Sequence, residues 1–188
     1  MKKKLTLLSL TLMLSLPIFA QGIMSAAQEN DVIGIRYLLN RGESINTRDL
    51  KGYTPLIMAV SEGHEKATAY LIEKDAKLNL QDRTGNTALI LASTTNFNAA
   101  IDLLVSHYAD VNIKNKKGVT ALIAAVNAGN TPAVKTLLAA GADIKIKDKN
   151  HKTAVDYANE AKNADILGLL NDNTSLTSIK ETSTTGGR

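Results

Sequence analysis

Between residues 49 and 81 the apolar positions fall in two short bursts separated by polar turns. Leu56, Ala59 and Val60 form one stripe at helical spacing, and Ala67, Leu71 and Ile72 form a second. Gly52 marks a tight turn ahead of the first burst, Thr54-Pro55 opens it, Gly63-His64 separates the two, and Asn79 closes the unit. The unit then returns. Gly52, Gly85 and Gly118 recur every 33 residues, as do Thr54, Thr87, Thr120 and Thr153, and Leu56, Leu89, Leu122 and Val155. A fixed period of this size, opening on a turn and followed by two helices, predicts an all-α solenoid of stacked helix pairs. Each pair buries its apolar side only against its neighbours.

Taken in order, the first repeat has Gly22 to Gln28 as its first helix and Asp31 to Asn40 as its second, with Ile35, Leu38 and Leu39 facing inward. Gly42 follows, where a helix ending favours a left-handed residue. In the second repeat Thr54 caps and Pro55 takes the first helical position, where its missing N–H costs nothing. Asp75 stands where the other endings suggest glycine. The third repeat, Asp82 to Lys114, has Leu89, Ala92, Ile101, Leu104 and Val105 as its core. Asn96 replaces the turn glycine, which asparagine tolerates. Tyr108 replaces another, and predicts either a distorted helix end or a ring rotated onto the next repeat. The fourth repeat, Asn115 to Lys147, packs Leu122, Ala125, Val134, Leu137 and Leu138, with Thr131-Pro132 starting its second helix. The fifth, from Asp148, is atypical. His151 replaces the turn glycine, Thr153 to Asp156 opens the helix, and Asp156, Asn159 and Lys162 make the far side polar, as befits a terminal repeat that meets water.

Two segments fall outside the period. From Thr174 to Arg188 serine, threonine and glycine dominate, which predicts a disordered tail, because so little apolar surface cannot offset the entropy of ordering. At the other end Lys2, Lys3 and Lys4 precede an apolar run from Leu5 to Leu16 and a small residue at Ala20. Residues 1–20 therefore read as a signal peptide cut after Ala20, leaving residues 21–173 as the repeat domain. An uncleaved anchor and a cut after Ala27 are the other readings; the latter would remove the first helix. The apolar run is shorter than the roughly 20 residues of a spanning helix. Three of the four surplus positive charges lie in that leader, so the remainder carries only +1 and the chain's charge is no argument for nucleic acid. With no cysteine there is no disulfide, no thiolate metal site and no cysteine nucleophile. His64, His107 and His151 lie in different repeats without metal-ligand spacing, and neither a phosphate loop nor a serine elbow is present. These absences argue against an enzyme, a metal or any other cofactor. His64, at the turn between helices, reads as structural.

Gly-x-Thr-Pro-Leu at Gly52 to Leu56, with Ala59, Gly63-His64, Leu71-Ile72, Ala76 and Asn79, closely resembles the ankyrin-repeat consensus, and Gly85-x-Thr-Ala-Leu and Gly118-x-Thr-Ala-Leu resemble it nearly as well. One departure recurs. The family's histidine after Thr-Pro-Leu is replaced by Ile57, Ile90, Ile123 and finally Asp156, which exchanges a polar network for apolar contact. The resemblance implies β-hairpin-like finger loops and a concave surface made of finger tips and first helices. It places contact positions just around each finger glycine and near each first-helix end. Those are Leu50, Lys51, Tyr53 and Glu62; Arg83, Thr84, Asn86 and Thr95; Lys116, Lys117, Val119 and Asn127; and Lys149, Asn150 and Lys152. The tips become more basic toward the C-terminus, and Tyr53 reads as a solvent-facing aromatic of the kind enriched at binding hot spots.

These features imply a monomeric module whose partner is another protein with an acidic contact surface, with no nucleic acid and, once the leader is cut, no membrane. The lysine-led leader is similar to those of exported bacterial proteins and implies a periplasmic or secreted location. Some exported bacterial ankyrin proteins that this chain resembles are associated with peroxide resistance, so support of stress defence is one implied role. Neutralising a toxin delivered to the periplasm, as immunity proteins do, is another, and a secreted effector acting on host proteins is a third.

Overall fold

The structure, a computed structural model, describes residues 22–183. The signal-peptide reading of residues 1–20 lies outside the described residues, as do the last five of the tail. Among the described residues, ten helices alternate in two layers. The first helices of the repeats are α1 (Ile23–Gln28), α3 (Pro55–Ser61), α5 (Ala88–Thr94), α7 (Ala121–Asn127) and α9 (Ala154–Glu160). The second helices are α2 (Val32–Asn40), α4 (Glu65–Glu73), α6 (Asn98–Ser106), α8 (Thr131–Ala139) and α10 (Ala164–Ser183). Each helix packs on its partner within the repeat and on its counterparts in the repeats before and after, so the chain is a solenoid of stacked pairs. Among the described residues no helix is long and apolar enough to cross a membrane.

The core is the predicted double stripe. Leu56, Ala59, Leu71, Leu89, Ile101, Leu104, Leu122, Leu137 and Ile166 are all buried. Ile57, Ile90 and Ile123 are buried as well, so apolar contact does replace the polar network of the consensus. Thr54, Thr87, Thr120 and Thr153 each accept a hydrogen bond from the backbone N–H three residues on, giving four consecutive first helices the same cap. In α9 the cap is reciprocal, because the Asp156 carboxylate accepts from the Thr153 backbone at 2.8 Å. An aspartate fits there because, among the described residues, no further helix pair stacks on α9, and the site that a buried isoleucine fills elsewhere is exposed.

Helix ends explain how the chain turns back on itself. At the end of each of the first four second helices, two backbone N–H groups reach back to the last turn. Ala76 donates to Leu71 at 3.0 Å and Asp75 to Ile72 at 3.1 Å, and the same pair of bonds closes α2, α6 and α8. The residue between is left-handed each time: Gly42, Asp75, Tyr108 and Gly141.

Two sequence expectations are corrected. The Tyr108 helix end is not distorted, since Ala109 donates to Leu104 at 2.9 Å as at every other end. Nor does the ring pack on the next repeat; it is 93% exposed. The reason is that the ending depends on backbone geometry alone, which leaves the side chain pointing outward. The start of α8 does fall at Thr131-Pro132, with Asn130 ahead of it as the cap, its side chain accepting from Ala133 at 3.1 Å. Finally, α10 continues to Ser183, into the tail expected to lack regular structure. A helix already nucleated on the core extends at little further cost per residue, even through a poor sequence.

Candidate partner-binding face

The fingers are tight turns built on one recurring polar residue. Asp49, Asp82, Asn115 and Asp148 recur every 33 residues. Each accepts two backbone N–H groups through one side-chain oxygen, as Asp82 Oδ1 does from Thr84 at 2.7 Å and Asn86 at 2.9 Å. Its own backbone closes the loop. Asp82 N–H donates to Asn86 O and Gly85 N–H to Asp82 O, a hairpin-shaped turn without regular strand pairing among the described residues.

Successive fingers are joined backbone to backbone. Arg83 N–H donates to Lys51 O at 2.9 Å, Lys116 to Thr84 at 3.0 Å and Lys149 to Lys117 at 2.9 Å. This approach decides the glycines. A Cβ on Gly85 would lie 2.7 Å from the Lys116 nitrogen, and one on Gly52 2.9 Å from that of Arg83. Among the described residues no finger follows the fifth, and there His151 holds the left-handed conformation. Side chains reinforce the row: an Arg48 guanidinium nitrogen donates to Gln81 O at 2.7 Å and Gln81 Nε2 to Lys114 O at 3.0 Å. Behind the fingers, Asn46, Asn79 and Asn112 each accept a backbone N–H from the following repeat, at Lys77, Asp110 and Asp143. His64 has the structural role expected of it, its Nε2 bonded to Gln28 O at 2.8 Å.

The expected contact positions divide by exposure. Leu50, Lys51, Glu62, Arg83, Thr84 and Thr95 are exposed, as are Lys116, Lys117, Asn127, Lys149 and Asn150. Tyr53, Asn86, Val119 and Lys152 are half-buried. Tyr53 is a correction. Its ring packs against the core rather than facing solvent, and burial, followed by the Asp82 carboxylate, pushes its hydroxyl pKa up. The large apolar side chain that does face solvent at that tip is Leu50, 84% exposed. Asn86 is occupied in the row itself, accepting from Asn115 Nδ2 at 2.8 Å. Lys152 is paired with Glu160 at 2.7 Å. The bearer residues at 49, 82, 115 and 148 and the cross-finger residues Arg48 and Gln81 were missed as a set, although the same 33-residue period marks them.

Charge is uneven along the row. The second finger carries Arg48, Asp49 and Lys51, and the third Asp82 and Arg83. The fourth carries Lys114, Lys116 and Lys117 with no acid, because its bearer is the neutral Asn115. The fifth adds Lys147 and Lys149 around Asp148, which is only 6% exposed. Burial pushes the Asp148 carboxyl up. The Tyr157 hydroxyl at 2.6 Å, with the backbone N–H groups of Lys152 and Asn150, outweighs that and holds it below its ordinary value.

Stacked helix pairs at a 33-residue period, joined by hairpin-shaped turns, define a helical repeat protein that presents one row of tips. The family comparison says which. A family described as ankyrin repeats (3 copies) matches residues 23–115, and one described as ankyrin repeats (many copies) matches residues 104–158. The chain belongs to the ankyrin-repeat family, whose repeats form protein-protein interaction modules. No curated protein matches it.

Proposed function

We propose that this chain is an exported, monomeric, non-catalytic module that binds another protein through its finger tips and first-helix ends, the partner presenting acidic side chains to the last two fingers. The observation that supports this most is the division of labour within the fourth and fifth fingers. Their inward groups are committed to the turn and to the adjoining finger, while Lys116, Lys117 and Lys149 are exposed. Export rests on the leader at residues 1–20.

Capture of a partner from the source cells on the purified protein, with Lys116→Glu plus Lys117→Glu as the comparison, tests the reading. The expected outcome is a partner retained by the parent and lost from the charge-reversed protein. Equal retention by both would sink the basic-tip reading. For the biological role, support of peroxide or other stress defence is the leading version. Toxin immunity and action on host proteins are the rivals. A partner that is a peroxide-consuming enzyme, a toxin or a host protein would separate them.

A further inference from the structure

The lysines of the last fingers are set at regular intervals, and the interval carries information about the ligand. Arg83, Lys116 and Lys149 occupy the same position in three successive fingers, and all three are exposed. Their backbone nitrogens are the donors of the finger-to-finger bonds, so their separation is fixed by the fold rather than by side-chain habit. Each finger contributes two chain segments to the row. At about 4.8 Å per hydrogen-bonded neighbour the repeat is about 10 Å, which agrees with the usual spacing of packed helices. An extended chain in the polyproline II conformation advances about 3.1 Å per residue with about three residues per turn, so every third side chain returns to the same face about one finger further on.

We propose that the ligand of this face is a single extended segment of a partner protein, lying along the row of tips, with carboxylates about three residues apart that meet Lys116 and Lys149 in turn. This rests on the protein-binding reading above and narrows it. The partner segment is acidic where it crosses the fourth and fifth fingers, because the fourth has no carboxylate and that of Asp148 is turned inward onto Tyr157. At its other end it meets Leu50, so an apolar residue lies about six residues away from the nearer carboxylate, two fingers along. A nucleic acid fits less well. These two fingers offer lysine without arginine and no exposed Phe, Tyr or Trp for a base to stack on, His151 being the exposed ring there; Tyr157 is half-buried and bonded to Asp148.

Fluorescence anisotropy with the purified protein and two labelled peptides of identical composition provides the test. One peptide carries aspartate at every third position; the other carries the same aspartates in one block. The spaced peptide is expected to bind about tenfold tighter, with the preference abolished in Lys116→Glu plus Lys149→Glu and both affinities falling with added salt. Circular dichroism of the variant checks that it remains folded. Equal binding of the two peptides overturns the spacing argument and leaves an acidic partner in place. No binding of either peptide also overturns it, while the wider module reading still stands or falls on partner capture. A single-stranded oligonucleotide of matched charge that outcompetes the spaced peptide overturns the choice of a protein ligand.

Discussion

At the finger tips Gly52, Gly85 and Gly118 hold φ values of 80°, 83° and 78°; at the ends of the second helices Gly42, Asp75, Tyr108 and Gly141 hold 89°, 60°, 63° and 83°. The backbone conformation is nearly the same in both rows, yet the first admits only glycine until its last member and the second admits almost anything. The difference lies in what surrounds the missing Cβ. At the tips the next finger's backbone stands 2.7–2.9 Å away, whereas at Gly42 and Gly141 nothing lies within 4 Å. A left-handed φ alone costs a side chain about 1–2 kcal/mol, which selection can tolerate. A left-handed φ with a backbone collision cannot be relieved by a rotamer change, because the colliding atom is not on a flexible side chain. His151 fits the same rule, since among the described residues no finger lies beyond its tip.

The largest effect is expected where the two costs coincide. Gly85→Ala should destabilise the protein by about 2–4 kcal/mol, the left-handed term plus overpacking against Lys116. Gly141→Ala carries the first term without the second and should cost about 1 kcal/mol. Urea unfolding of the two variants beside the parent measures the gap. Equal losses would mean that the fingers part easily and that their backbone bonds contribute little.

The reverse exchange works in the other row. Tyr108→Gly relieves a left-handed tyrosine whose ring is 93% exposed, so little packing is lost. A gain of about 0.5–1 kcal/mol is expected, after allowing for the greater freedom glycine gives the unfolded chain. Thermal melts of this variant would rise by a few degrees. A fall would mean that the ring has a contact that matters to the fold. Nothing in the structure explains why tyrosine stands there.

The same contrast sets what the sequence could reveal. The period announced the helices and the core because both depend on local pattern: Leu56, Leu89 and Leu122 occupy one burial site three times over. Tyr108 misleads because a departure from glycine suggests a damaged helix end, when the site demands only a backbone angle. Tyr53 misleads for a different reason. Whether a ring beside a turn faces out or folds back onto the core depends on the neighbouring finger, which no run of residues displays. The bearer column was visible at the same period, but a polar residue in a turn suggests solvent until its oxygen is seen accepting two N–H groups. Exposure of the lysines followed from their place at the tips; their regular interval needed the finger-to-finger bonds.

The smallest effect concerns the fifth finger, which among the described residues is joined to the fourth alone and relies on charge on its other side. Asp148 is held below its ordinary carboxylate value by Tyr157 and two backbone N–H groups, against the upward pull of burial, and Asp156 is held low by the Thr153 backbone and hydroxyl. A carboxylate with a depressed folded-state pKa contributes stability that is complete above its unfolded value and disappears as pH falls through the folded one. Acidification below the ordinary carboxylate range should therefore loosen the fifth repeat. Asp148→Asn is the informative variant. Asn115 already serves as a bearer one finger earlier, accepting from Lys117 at 2.9 Å and Val119 at 3.0 Å, so the amide preserves the turn while removing the titrating group. Amide exchange at Asn150 and Lys152 should accelerate with acid in the parent, beyond the intrinsic pH trend, and respond less in the variant. An identical acid response in both would place the sensitivity in Asp156, whose cap the substitution leaves untouched.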